Sequence, residues 1–457
     1  MLAREDFAGL VRSSVAGMGF HRDIAMVVFP VDQFLVESDI SPIQRALGEF
    51  IAGLTSWAPA AGQKGLSVPP RLGIEAGNHE EATDRFNQLF LNNLWGDGLP
   101  LVPPTEARVK WILRGTDMAP EAEVGRVMPR GGIATVETLA VALAMAGGRP
   151  EYLAVLIAAM SAILDAAMHH DKWQTTSAST FPTVIVNGPV ARDIRLNAGF
   201  GLLGPDPGQP AGAAIGRAIR LIQQNVGGAL PGVGTMAMFG GMRYTNAVFA
   251  EDEDGLPAGW EPLNVERLGH PRGTNSVTVF AAAGAANIFR RGIGTEALAE
   301  EALQSLYRIA GYLRVPNVHY LRGYEEGTPG ALLISRAVAG QLGGLGWTKE
   351  KIKQFLWENS KVPLAEVERT GIIQWIESDP DPRTVKAERD PWPIARKPDN
   401  LMIVVAGGAH PTHAYWLQGC ARHVGGKRID LPANWRALID EAEVDLGPIE
   451  AACRVSS

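Results

Sequence analysis

The chain has 457 residues and only two cysteines, Cys420 and Cys453. Two thiols cannot build the disulfide framework of a small secreted scaffold, and their scarcity suits a reducing compartment. There is no run of lysine and arginine, and the formal charge is −7 with a pI near 5.8. A nucleic-acid partner needs a cationic footprint, so none is expected. Long apolar runs are also missing. The most apolar window, Tyr152 to Leu164, spans 13 residues, whereas a membrane-crossing helix needs about 20. The opening MLAREDFAGL lacks the basic flank and apolar core of a signal peptide. Together these absences predict a soluble, cytoplasmic protein with no membrane or nucleic-acid partner.

What is present argues for a folded core. Hydrophobic residues make up 46% and charged residues 20%, too apolar a balance for a disordered chain. The 52 glycines and 31 prolines imply many tight turns. The first segment, residues 1–57, reads as a strand (Ala25 to Phe29, ending at Pro30) and a helix opened by Ser41-Pro42. Ile43, Leu47, Phe50, Ile51 and Leu54 form that helix's apolar stripe. One strand and one helix cannot close a core. The segment is therefore expected to complete a sheet made by a partner chain or by the C-terminal half, with its strand paired on both edges.

Residues 58–83, rich in Ala, Gly and Pro at their start, read as a linker. Residues 84–180 read as helix-rich, with Thr105 as a helix cap and a nearly all-apolar helix from Pro150 to Met168. From 181 to 457, short apolar runs alternate with helical patterns. Strands are expected at Thr183 to Val186, Asn246 to Ala250, Ser276 to Ala281, Ala331 to Ile334 and Leu401 to Ala406. The pattern predicts an α/β fold of mixed sheets flanked by helices, with a helix-rich segment before residue 180 and a small N-terminal strand-helix piece. No internal repeat of 20 to 50 residues is visible.

Several polar constellations could carry chemistry. Gly199-Phe200-Gly201-Leu202-Leu203-Gly204 spells G-x-G-x-x-G, but Pro205 and Pro207 prevent a helix from opening inside it, so a dinucleotide site is not favoured. His169 and His170 follow the buried helix and are candidates for acid–base work, or simply a cation at a helix end. His410, His413, Cys420 and His423 are spaced H-x2-H-x6-C-x2-H after a buried strand. His410, His413 and Cys420 are candidate ligands for zinc or iron, and His413 is also a candidate acid or base. The alternative is a wet loop with a small buried thiol.

Glu261, Glu266 and Arg267 lie between two strands, flanked by the acidic run Glu251 to Asp254. Glu266 and Arg267 are candidates for acid–base chemistry and Glu261 for substrate binding, against a structural Glu–Arg pair. The acidic run itself reads as a solvated turn. Asn187 and Arg217 are further candidates for substrate binding, and Asn225 and Tyr244 for orienting a substrate.

The phrases WGDGLPLVPPT, MPRGGIATVETLAVALAMAGGRPEY, VIVNGP, AIGRAIRLIQQNVGGALPG, WEPLNVER and GWTKEKIKQFLWENSKVP resemble a bacterial family associated with, or fused to, proteins carrying the UGSC motif, a selenocysteine-or-cysteine Gly-Ser-Cys signature. The likeness covers roughly residues 90–435, and residues 1–57 resemble the end of a UGSC domain. No Gly-Ser-Cys occurs in this chain, and Gly148 stands where the likeness leads one to expect a cysteine. The resemblance implies a partner subunit bearing the thiol or selenol.

Two functions follow. One is an enzyme, or enzyme subunit, using histidine and carboxylate acid–base chemistry on a small polar or anionic substrate. It would be a lyase, hydratase or hydrolase, with a divalent metal as a candidate cofactor. The other is a non-catalytic or half-catalytic subunit of a homo- or hetero-oligomer that includes the thiol-bearing protein.

Overall fold

The structure is a computed structural model, and it describes residues 2–17, 24–35, 37–58, 71–240, 245–289, 299–315, 327–377 and 390–447. Two small strand pairs precede the main sheet. β1 (Leu2–Arg4) runs parallel to β2 (Val27–Phe29), and β3 (Glu123–Val127) runs antiparallel to β4 (Gly132–Thr135). The main sheet comprises β5 (Phe181–Asn187), β6 (Ala247–Ala250), β7 (Ser276–Phe289), β8 (Thr328–Ile334), β9 (Met402–Val405), β10 (His413–Ala421) and β11 (Gly425–Arg428). Its order is β6-β5-β7-β10-β8-β9, with β11 added to β7. Helices flank this mixed sheet, so the fold class is α/β.

The order hides a duplication. β5 is parallel to β6 and antiparallel to β7. β8 is parallel to β9 and antiparallel to β10. Each unit is thus a strand, a helical crossover, a parallel neighbour on one side and an antiparallel third strand on the other. The helix Ala211–Asn225 lies in the first crossover, and Arg336–Gly344 and Lys349–Asn359 lie in the second. The units join antiparallel through β7 and β10, with Phe289 opposite His413. The repeat resides in topology, where unrelated apolar residues serve equally well, and leaves no visible trace in the sequence.

The sheet curls until its outer ends meet. The Asp252 amide donates to the Val405 carbonyl at 2.7 Å, and the Gly407 amide to that of Ala198 at 2.8 Å. The loops after β6 and β9 therefore face one another. This closure creates the cleft described below.

Both sheet faces are covered where the second unit lies. Ala331, Leu333, Met402 and Val404 belong to the core shared with the helices Val136–Met145, Leu153–Ile163 and Ala211–Asn225. Leu332, Ile334, Ile403 and Val405 point to a second core beneath the helices Ala299–Leu313 and Lys349–Asn359. Two-sided burial is why this strand reads as an unbroken apolar run. Ile215, Ile219 and Ile222 are fully buried, as their shared helix face predicts.

Some expectations need correction. The buried helix stops at Ile163, not Met168. Asp165 accepts the Ala167 amide at 3.0 Å and caps a separate turn, and His169 is left-handed at φ 51°. The strand starting at Ser276 runs on to Phe289, and the segment holding His413 and Cys420 is strand β10 rather than a loop. In the N-terminal segment β2 pairs, among the described residues, only with β1, in a two-stranded sheet separate from the main one. Its helix Leu47–Thr55 buries none of its residues. No described helix is long and apolar enough to cross a membrane.

Candidate active site

A cleft of about 720 Å³ opens where the loops after β5, β6, β8 and β9 converge. Ligands in open α/β sheets gather beyond strand carboxyl ends, and here both units contribute such ends. Its lining includes Gly407, Gly408 and Ala409 after β9 and the acidic run Glu251 to Asp254 after β6. Gly188 turns the chain into the cleft at φ 92°. A side chain there would press on Asn275 and the Thr274 carbonyl, so only glycine fits.

The acidic run is not a solvated turn. Glu251 is 4% exposed, and its carboxylate is fully engaged. Oε2 accepts from Asn187 Nδ2 at 2.8 Å and from the Leu263 amide at 2.6 Å. Oε1 accepts from Lys349 Nζ at 3.4 Å. Burial of this carboxylate is tolerable only because it is paired and hydrogen-bonded.

Glu253 is held differently. Its Oε1 accepts from Asn187 Nδ2 at 3.0 Å and from the Gly188 amide at 2.7 Å. Its Oε2 has no hydrogen-bond partner among the described residues, and the residue lines the cleft. At the rim, Arg336 grips Asp252 through Nε and Nη2, both at 2.7 Å, and Arg192 pairs with Asp254. The contact with Asp252 raises the Arg336 pKa above its already high value, so that guanidinium stays charged.

Behind the cleft the ion pairs continue inward. Lys349 bridges Glu251 and Glu266, at 3.4 Å each, and donates to the Glu261 carbonyl at 2.7 Å. Glu266 also contacts Lys353. Burial pulls the Lys353 pKa down to about 8, with the charge of Asp399 acting in the opposite direction.

The structure sorts the residues singled out in the sequence. Asn187 is fully buried and does not line the cleft; it clamps two carboxylates rather than touching a substrate. Glu266 belongs to the buried ion network. Arg267 donates to the Asp399 carbonyl at 2.6 Å, and burial lowers its pKa. Glu261 forms a surface pair with Arg272 at 2.8 Å. Arg217 grips Asp97 through Nε and Nη2, at 2.7 and 2.9 Å, and Asn225 donates to the Trp95 carbonyl at 2.6 Å. Both fasten the WGDGLPL loop to a helix and neither lines the cleft. Tyr244 lies outside the described residues.

The histidines do not converge. Met168, beside His169, packs on Gly425, which stands opposite Val279 of β7. His413 stands opposite Phe289, ten residues further along the same strand. His170 is buried edge-on against Trp173 at 5.4 Å. Cys420 lies seven residues from His413 on β10, roughly 20 Å along a strand. Its Sγ is 3.8 Å from the Ala281 carbonyl. The set His410, His413 and Cys420 is thus not brought together, and among the described residues no three His, Cys, Asp or Glu side chains form a metal ligand set. His410 and His413 do meet: each Nδ1 lies 2.7 Å from Thr412 Oγ1.

Sequence reasoning missed Glu253, Asp252, Arg192 and Arg336. One signal was there, since the acidic run directly follows the buried strand ending at Ala250, where α/β sites gather. Compared with known proteins, the chain matches no family model, no curated protein and no solved structure.

Proposed function

We propose that the protein is an enzyme, or the cleft-bearing subunit of one, that moves protons on a small polar organic acid by carboxylate-centred acid–base chemistry of the lyase or hydratase type. The observation that carries this reading is Glu253. One of its oxygens is pinned by two donors, the other has no hydrogen-bond partner among the described residues, and the residue lines the cleft. A carboxylate held in this way is oriented as a general base and spends none of its second oxygen on the protein. Arg336 and Arg192 supply fixed cations at the rim, where an anionic group of the substrate would dock. Gly407 and Gly408 in the lining bring backbone close to the reacting group.

The test is proton exchange. Wild-type protein is incubated in D₂O with a panel of 2-hydroxy, 2-amino, 2-oxo and unsaturated acids, and loss of substrate protons is followed by NMR. Exchange with at least one panel member, reduced about 100-fold or more by Glu253→Gln, is the expected result. No exchange with any member, or exchange unchanged by the substitution, overturns the reading.

A second reading rests on the N-terminal segment. Val31, Leu35, Leu47, Ile51 and Leu54 are all exposed, at 49% or more, and among the described residues β2 pairs only with β1. That surface suits a subunit that docks on a thiol- or selenol-bearing protein. Purification of the tagged chain from its native host decides it. Recovery of a stoichiometric Cys- or Sec-bearing partner supports the subunit reading, and recovery of the chain alone refutes it.

A further inference from the structure

We propose that His410, Thr412 and His413 form a two-histidine proton relay at the rim of the cleft, contributed by the second unit and opposite the carboxylate of the first. The relay's part in catalysis rests on the acid–base reading above. Its existence as a relay does not.

The duplication places the relay. In the first unit, the residue ending β5, Asn187, holds the loop after β6 through Glu251 and Glu253. In the second unit, the residue following β8, Ser335, holds the loop after β9, its Oγ donating to the His410 carbonyl at 3.0 Å. The two loops occupy corresponding positions in the two units. They are locked together by the bond from the Asp252 amide to the Val405 carbonyl, and Arg336, just after β8, also holds Asp252. Ala409, the neighbour of His410, lines the cleft. His410 and His413 are themselves exposed, one and four residues beyond Ala409.

The chemistry follows from one shared hydroxyl. Thr412 Oγ1 lies 2.7 Å from Nδ1 of both imidazoles. A hydroxyl has one proton to donate and lone pairs with which to accept. With both rings neutral, Thr412 donates to one Nδ1 and accepts an N–H from the other. One ring then carries its proton on Nδ1 and offers a bare Nε2, while the other carries it on Nε2 and is a donor. The pair always presents one base and one acid. Phe289 packs edge-on to His413 at 5.4 Å and fixes that ring.

A turn of the relay balances. His410 gives its Nε2 proton to the substrate and takes the hydroxyl proton of Thr412 at Nδ1. Thr412 takes the Nδ1 proton of His413, and His413 takes a proton from water at Nε2. The net transfer is one proton from solvent to substrate, and the two rings exchange tautomers. Glu253 removes a proton from one side of the substrate, and the relay delivers one from the other.

The experiment uses the full-length protein labelled with ¹⁵N-histidine at pH 8.5, above the usual imidazole range of about 6.5. Long-range ¹H–¹⁵N spectra, assigned with His410→Gln and His413→Gln, give the fraction of each ring protonated at Nδ1. The relay requires the two fractions to sum to one. Thr412→Val should bring the sum close to zero, and Thr412→Ser should restore it. A wild-type sum near zero or two overturns the relay. Glu253→Gln should leave the sum at one, so the relay can stand if the carboxylate reading falls. In the D₂O assay, Thr412→Val should slow exchange about 10-fold, with Thr412→Ser near wild type. Unchanged exchange in Thr412→Val overturns the relay's part in the reaction. Absence of wild-type exchange with a sum of one overturns the acid–base reading and supports the relay alone.

Discussion

Arg336 meets Asp252 through two parallel hydrogen bonds of 2.7 Å, and the pair ties the end of one strand unit to the acidic loop of the other. The geometry is bidentate, and Asp252 is mostly buried while Arg336 is half exposed. Such a pair should contribute about 1 kcal/mol, more than a typical surface ion pair because both partners are held by rigid elements. A double-mutant cycle with Arg336→Ala and Asp252→Ala should show coupling of about 0.5–2 kcal/mol in urea unfolding. Coupling near zero would mean that the loops are held together without this contact.

Asn187 offers one amide nitrogen to two carboxylates, so its replacement has a pH signature. Asn187→Leu removes the donor and should cost about 1–3 kcal/mol, because Glu251 and Glu253 each lose a partner. Asn187→Asp places a third acid beside the same two groups. At pH 8 it should be the less stable variant, through like-charge repulsion. Near pH 5, once the new acid takes up a proton, it can donate in place of the amide and should overtake the leucine variant. Thermal unfolding of both variants at the two pH values checks the crossover, and a fixed rank order would refute it.

Arg217 is a fastener. Asp97 is 3% exposed at its side chain and has Arg217 as its ionic partner. Arg217→Ala would strand a buried carboxylate and should cost about 3–5 kcal/mol. Arg217→Lys keeps the charge but not the fork, and should recover only part of that. A loss below about 1 kcal/mol in the alanine variant would mean that Arg217 is not needed to hold Asp97 and is available to bind a ligand.

How much of this was legible in the sequence differs from element to element. The Ala211–Asn225 helix carries Ile215, Ile219 and Ile222 on one face, a pattern visible in the sequence, and Thr105 caps its helix as expected, accepting the amide of Arg108. β10 did not announce itself. Its histidine and cysteine, His413 and Cys420, read as ligand spacing, concealed a strand whose apolar members, Ala414, Trp416 and Leu417, pack against cores on both sides of the sheet. The site was the harder part. Asn187 and Glu251 are 64 residues apart in sequence, and nothing local says that one will hold the other. Charge composition also misled. Four acids in a row suggest water, but a strand end beside Lys349 buries the first of them.

The N-terminal segment should be removable. An aggregating deletion variant follows from an apolar stripe that completes the main sheet, and the structure instead leaves Leu47, Ile51 and Leu54 of that stripe exposed on the helix Leu47–Thr55. β1 and β2 form a sheet of their own. A protein lacking residues 1–57 should therefore keep its Tm within about 2 °C and lose large exposed apolar side chains such as Leu35 and Leu54. Its sedimentation should show less self-association than that of the full chain. A fall in Tm of more than about 5 °C would place this segment in the main core after all.

Burial of Lys353 makes stability depend on pH. Lys353 is 3% exposed and touches Glu266, yet burial draws its pKa down to about 8 from the 10.5 of an exposed lysine. Below pH 8 both folded and unfolded chains hold the proton, and the folded state bears the whole cost of burying the charge. Between about pH 8 and 10.5 the folded chain has released the proton and the unfolded chain still holds it. The unfolded state then binds more protons, so stability rises with pH across that window. Lys353→Met abolishes the effect. The difference in unfolding free energy between wild type and Lys353→Met should thus shift in favour of wild type by about 1–3 kcal/mol from pH 7.5 to 10. The comparison cancels groups common to both proteins. A constant difference, or one that moves against wild type, would mean that attraction to Glu266 outweighs burial and keeps Lys353 charged throughout.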